Sequence, residues 1–248
     1  MGNFIQGMLY FIAGFKRLST PGLRRFVILP ILFNVLLFAG LFYLLYHYLL
    51  PYADYYLDKL PSWLSFLSTV FFILVVVSYF LLFLMLFTAL CNVIAAPFNG
   101  LLAEKAQTHF LQSELPSQPF MVMAWRSIKR QGQFLRYFLP RFLLTAALFF
   151  VPFIQPVYPF IWFTFNAWML SMQYQDFVMD NNLFTFNAMK QRLQHNRMKS
   201  LGFGLMINVF NFIPLLNVLT MPSAVIGGVL LYGEEQANLH KRLNKKPA

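Results

Sequence analysis

FLLTAALFFVPFIQPVYPFIWFTFNAWMLSMQYQ (Phe142–Gln175) runs for 34 residues without an Asp, Glu, Lys or Arg, yet Pro152, Pro156 and Pro159 interrupt it. A membrane-crossing helix takes about 20 apolar residues to cover roughly 30 Å of hydrocarbon, at ~1.5 Å per residue. A single crossing would leave residues over. A hairpin gives each leg about 15 residues, or roughly 22 Å, which is short for a full crossing. Ser200–Gly233 poses the same problem, with 34 uncharged residues broken by Pro214 and Pro222.

Two further uncharged runs read more simply. Phe26–Ala53 is long enough for one crossing, so a first transmembrane helix is expected over 21–53. In Leu60–Ala103 the helical part is expected to end near Pro97, and Pro61–Ala96 as one helix would measure about 50 Å.

The distribution of charge arranges these runs. Of 19 Lys and Arg residues, 18 fall in 1–25, 104–141, 176–199 and 234–248; the connection 54–59 holds Lys59 beside Asp54 and Asp58. The positive-inside rule puts the four basic segments, with both termini, on the cytoplasmic side. The two proline-broken runs must then enter and leave by the same face. That predicts two half-penetrating helical hairpins, 142–175 and 200–233, whose irregular backbone is tolerated only where protein or water surrounds it. The fold class expected is therefore an all-α integral membrane protein in a single domain. Around its two long helices and two hairpins lie a basic segment over 104–141 and a basic tail over 234–248.

Composition agrees with that class. The chain has 248 residues, 59% hydrophobic and 11% charged, with mean hydropathy +0.60. Soluble domains run near a quarter charged. Thirty-one Phe residues suit lipid-facing surfaces and the headgroup belt. The formal charge of +11 has no basic soluble domain to carry it, so orientation or an anionic substrate explains it better than nucleic acid. The single cysteine, Cys91, excludes an internal disulfide. No basic residue precedes Phe4, so the opening residues are not read as a cleavable signal.

Two segments have amphipathic spacing. Phe4, Met8, Phe11 or Ile12 and Phe15 share a helical face in 1–18, and Leu183, Phe186, Met189 and Leu193 share one in 183–199. They fit helices lying on the inner surface, or equally helices packed on the protein itself.

STPGLRRFVILPILFN (Ser19–Asn34) puts two arginines against an apolar run. Ser19 or Thr20 is a natural N-cap, which would set Pro21 at the first helical position. The amides of Gly22, Leu23 and Arg24 would then face outward at the positive end of a helix, where an oxyanion is stabilised. Arg24 and Arg25 add planar charged forks. The same pair also suits a plain membrane anchor, which spacing alone slightly favours.

Enzyme signatures are missing. There is no phosphate-binding G-x-x-x-x-G-K-[ST] and no H-E-x-x-H, and His47, His109, His195 and His240 are too dispersed for a local metal cluster. "HFLQSE" (His109–Glu114) only faintly resembles an acyl-transfer motif. No cofactor is called for. Intramembrane carboxylates of the proton-relay kind are absent from the four runs. The one carboxylate close after a chain break is Glu104, in AAPFNGLLAEKAQ (Ala95–Gln107), which could face a pore or a basic residue of 126–141, or equally form a solvated pair with Lys105 at the start of an interfacial helix. The basic residues of that stretch otherwise read as surface charge.

STPGLRRFVILPILFN, AAPFNGLLAEK and two proline-broken hairpins together resemble the bacterial CysZ sulfate permeases over nearly the whole chain. The resemblance implies sulfate uptake across the inner membrane for cysteine synthesis, by a homo-oligomeric helical assembly. It also implies sulfate binding at Gly22, Leu23, Arg24 and Arg25, with Glu104 and Asn99 as pore candidates. The reading it favours is an ATP-independent, channel-like permease for sulfate, extending to sulfite or other tetrahedral oxyanions, with membrane lipid around it. The alternative is a non-transporting scaffold or regulator that shapes lipid or holds a partner.

Overall fold

Phe142–Gln175 is a helical turn-back. In the computed structural model, α4 (Phe120–Ala147) ends in the short 3₁₀ turn Leu148–Phe150, and α5 (Tyr158–Asn181) returns. Pro152 and Pro156 lie in the turn, and Pro159 sits in the first turn of α5, where its missing N–H removes no helical bond. The legs have 28 and 24 residues and exceed the expected 15 because the flanking charged segments continue them.

The structure describes residues 2–44, 46–47, 51, 55, 70, 73–74, 76–78, 80–81, 83, 98–113, 115–116 and 118–243. The other elements are α1 (Gly2–Lys16), α2 (Arg24–Leu44), α3 (98–111), α6 (Phe186–His195), α7 (Arg197–Asn211) and α8 (Pro214–Leu243). Pro214 opens α8, whereas Pro222 lies within it. Thr185 caps α6 by accepting a hydrogen bond from the Ala188 amide at 3.2 Å, and Arg192 and His195 fill its last turn.

Clustering divides the chain into two units, residues 1–27 with 96–248, and residues 28–95. In the first, α7 and α8 pack against both α1 and α5. Phe11, Met172, Phe203, Ile207 and Ile226 are fully buried there. Phe11 meets Phe210 edge-on at 4.8 Å. Glycines bring these helices to backbone contact: a Cβ at Gly7 would overlap the Lys199 carbonyl oxygen, at Gly14 that of Ser223, and at Gly204 that of Ala167. The second unit contains an aromatic contact between Phe38 and Phe83, 5.7 Å apart, and Tyr43 stacked on His47 at 4.6 Å.

The helical class expected from the sequence stands, but the membrane-crossing architecture is corrected. Among the described residues no helix is long and apolar enough to cross a membrane. α1, α6 and α7 are too short, at 15, 10 and 15 residues. α4 carries Arg126, Lys129, Arg130, Arg136 and Arg141; α5 carries Asp176 and Asp180; α8 carries Glu234 and Glu235. The half-penetrating hairpins are helix pairs with polar stems, and among the described residues the multi-pass inner-membrane placement lacks the crossings it needs. The two amphipathic helices turn apolar side chains inward: Phe11 of α1 and Met189 of α6 are fully buried. The second long helix expected over 61–96 lies almost entirely outside the described residues, as do Cys91, Asp54, Asp58, Lys59 and Glu114.

Candidate functional site

Between α1 and α2 the chain makes two tight turns. The Thr20 amide donates to Arg17 O at 3.1 Å, and the Thr20 hydroxyl donates to the same oxygen at 2.8 Å. Because that hydroxyl points backward, Thr20 does not cap α2, and Pro21 is not its first residue. Instead Thr20–Leu23 closes on itself, with the Leu23 amide donating to Thr20 O at 3.1 Å. Pro21 at the second position and Gly22 at the third, with φ +90°, are the features of a type II turn. An L side chain at that φ is disfavoured, which is why Gly occupies it.

Leu23 is buried and stands where the cap belongs, its carbonyl accepting from the Phe26 amide at 3.0 Å. The amides of Arg24 and Arg25 lie in the first turn of α2 and have no helical acceptor. Arg24 Nε donates to Ser19 O at 2.8 Å, drawing that side chain back across the turn. The Arg25 guanidinium sits 4.9 Å from the Phe26 ring centre. Both arginines are exposed, and among the described residues neither has an acidic partner. Such a site offers an oxyanion two backbone donors and two charged forks at a positive helix end. The donor set differs from the expected one: the Leu23 amide is spent within the turn, and its side chain anchors the loop.

Asn99 and Glu104 are placed by α3. Asn99 is buried, with Nδ2 3.3 Å from Met221 Sδ. Glu104 pairs with Lys105 at 3.4 Å and lines an open cleft of about 470 Å³ that also contains Thr108, Gln118 and Arg126. Among the described residues, no hydrogen bond or ion pair connects either of them to Gly22–Arg25.

Sequence reasoning missed a set of buried charge pairs. Arg130 grips Asp176, with Nε at 2.9 and 2.8 Å from the two carboxylate oxygens and Nη2 at 2.6 Å from Oδ1. Its Nη1 also donates to Phe184 O at 3.0 Å. Arg126 Nε lies 3.1 Å from Asp180 Oδ2. Positions 126 and 180, like 130 and 176, are equidistant from Phe153, so once the turn is placed there the antiparallel helix pair brings them together. In the other helix pair, Lys199 meets Glu234 at 2.7 Å, and Glu235 accepts from Arg192 and Asn196 at 2.9 Å each. Burial pushes the Asp176 carboxyl up to about 6, against the pull of Arg130 and with a small push from Asp180. Burial, aided by Glu234, pushes Tyr10 up to about 12.

Residues 10–222 match the family model for sulfate transporter CysZ/etoposide-induced protein 2.4. The chain belongs to this family. A relative from Pectobacterium atrosepticum, named sulfate transporter CysZ, is 41% identical over 245 residues, spanning 97% of this chain and 89% of the relative. The CysZ resemblance read from the motifs is therefore a family membership. The family's description names a sulfate transporter. Among the described residues, no three His, Cys, Asp or Glu side chains gather to hold a metal. The channel-like permease expected from the sequence is corrected at this point. It requires helices that cross the bilayer, and the described residues supply none.

Proposed function

We propose that this CysZ-family chain handles sulfate-type oxyanions at Gly22–Arg25 and acts as a non-transporting scaffold or regulator. The observation carrying the oxyanion reading is the exposed, acid-free arginine pair at the start of α2, behind the Gly22 turn. Its membership of a family described by sulfate transport supports the choice of ligand class.

The scaffold reading rests on the two turn regions. Phe150 and Phe153 are 80% and 93% exposed, and Phe212 is 73% exposed. Apolar tips on polar stems suit a lipid surface or an apolar groove of a partner. A ligand-binding turn and apolar tips on one chain can report an anion to whatever the tips hold.

Sulfate titration of the purified chain, followed by calorimetry, tests the site. Arg24→Ala/Arg25→Ala should weaken sulfate binding at least tenfold while the thermal midpoint stays put, since both side chains are exposed. Unchanged binding removes the site. Sulfate flux measured with the same protein in liposomes tests the scaffold reading separately: flux above empty vesicles would overturn it.

A further inference from the structure

We propose that a cleft between α4, α5 and α7 binds a single anionic phospholipid, with the phosphate on Arg141 and Arg197 and an acyl chain over Phe165, Trp168 and Leu201. The cleft lies within one unit, encloses about 670 Å³, and takes its walls from α4, α5 and α7 with Gln194 of α6 beside them. That volume suits an organic ligand of moderate size. Tyr137, Arg141 and Leu144 share one face of α4; Arg197 and Leu201 share one face of α7. The lining is thus mostly apolar, with two cations and no carboxylate.

Charge complementarity selects the occupant. Most carboxylates described elsewhere in this unit are matched to a basic side chain, yet neither Arg141 nor Arg197 has an acidic partner among the described residues. Arg141 is held in place: its guanidinium lies 3.6 Å from the Tyr137 ring centre, and Nη1 donates to Tyr137 O at 2.8 Å. Lys190 approaches the same ring at 5.4 Å, adding a third positive charge near the mouth. A pre-positioned guanidinium with free N–H groups suits a phosphate.

The apolar part extends beyond the cleft. Leu144 on its rim is 66% exposed, and the exposed series continues along α4 through Leu143 to Phe149 and Phe150. An acyl chain leaving the cleft would keep apolar contact along this helix. A free anion needs none of that surface, and a hydrocarbon needs neither arginine. One amphiphile uses both. The proposal is independent of the oxyanion site at Gly22–Arg25, which lies on other elements.

The test is fluorescence quenching of the purified full-length chain by phosphatidylglycerol with brominated acyl chains. Brominated phosphatidylcholine and inorganic phosphate serve as separate arms. Brominated phosphatidylglycerol should quench the wild type, and Trp168→Phe should remove most of the quenchable signal. Arg141→Gln/Arg197→Gln should raise the half-quenching concentration about tenfold, and phosphatidylcholine should need a similarly higher concentration. Circular dichroism checks that both variants fold, and sulfate titration should leave both indistinguishable from the wild type. Equal quenching by the two lipids overturns the selection of an anionic lipid, and an unaffected double variant overturns the phosphate contact. Undiminished quenching in Trp168→Phe, or inorganic phosphate competing as strongly as the lipid, overturns the acyl contact.

Discussion

Gly22 is the residue on which the geometry of the arginine pair depends. Its φ of +90° sets the turn, while a Cβ there would meet nothing within 4 Å. Gly22→Val therefore acts through backbone conformation and not through a clash, and should lose sulfate affinity by about tenfold. Gly40→Val in the same titration is the comparison, because a Cβ at Gly40 also meets nothing within 4 Å and its φ is not positive. Asp176 gives a second prediction. Its carboxyl rises from 3.8 to about 6 on folding, so the fold prefers it protonated. The stability it contributes is complete below about pH 4 and is lost as pH rises through about 6, a change of order 3 kcal/mol. Urea unfolding across that range should show the decline, and Asp176→Asn should flatten it. Arg130→Met leaves the carboxyl buried without its partner and should cost about 3–5 kcal/mol in the same assay near neutral pH.

At the scale of elements, close packing by glycine holds α7 between α1 and α5. Gly204→Leu pushes a side chain into the Ala167 backbone and should destabilise by at least about 1–3 kcal/mol, seen as a lower thermal midpoint. Gly132→Leu, on α4, meets nothing within 4 Å and should leave the midpoint near its original value. The helix pairs themselves were legible from prolines and uncharged runs, because Pro cannot continue a helix past its first turn without loss. Their lengths were not. Arg126 and Arg130 read as solvated charge, and only the antiparallel pairing sets them against Asp180 and Asp176. Likewise a sequence with Thr20 before Pro21 suggested a cap, whereas the hydroxyl turns to Arg17 O and the helix starts at Arg24.

At the scale of the whole molecule, apolar composition and mean hydropathy argued for a crossing protein, but among the described residues charged side chains are distributed within α4, α5 and α8, and no helix is long and apolar enough to cross. Exposed apolar side chains lie along α2 and α4 as well as at the turns, where Phe150 and Phe153 are 80% and 93% exposed. Phe150→Ser/Phe153→Ser should leave the thermal midpoint nearly unchanged, since both rings are exposed. The same variant should reduce co-flotation with phospholipid vesicles several-fold if the tips hold lipid. Unchanged flotation would shift the tips toward a protein partner. By itself the sequence determined the helical class, the turn positions, the family and the arginine pair, because these follow from local chemistry: proline geometry, charge spacing and short motifs. Only the tertiary structure decided which charges are buried, which amide of the GLRR turn is already spent and where four helices leave a basic, apolar cleft. Each of those depends on residues distant in the chain meeting at a particular register, or on a hydroxyl choosing between two carbonyls, and periodicity carries no record of either.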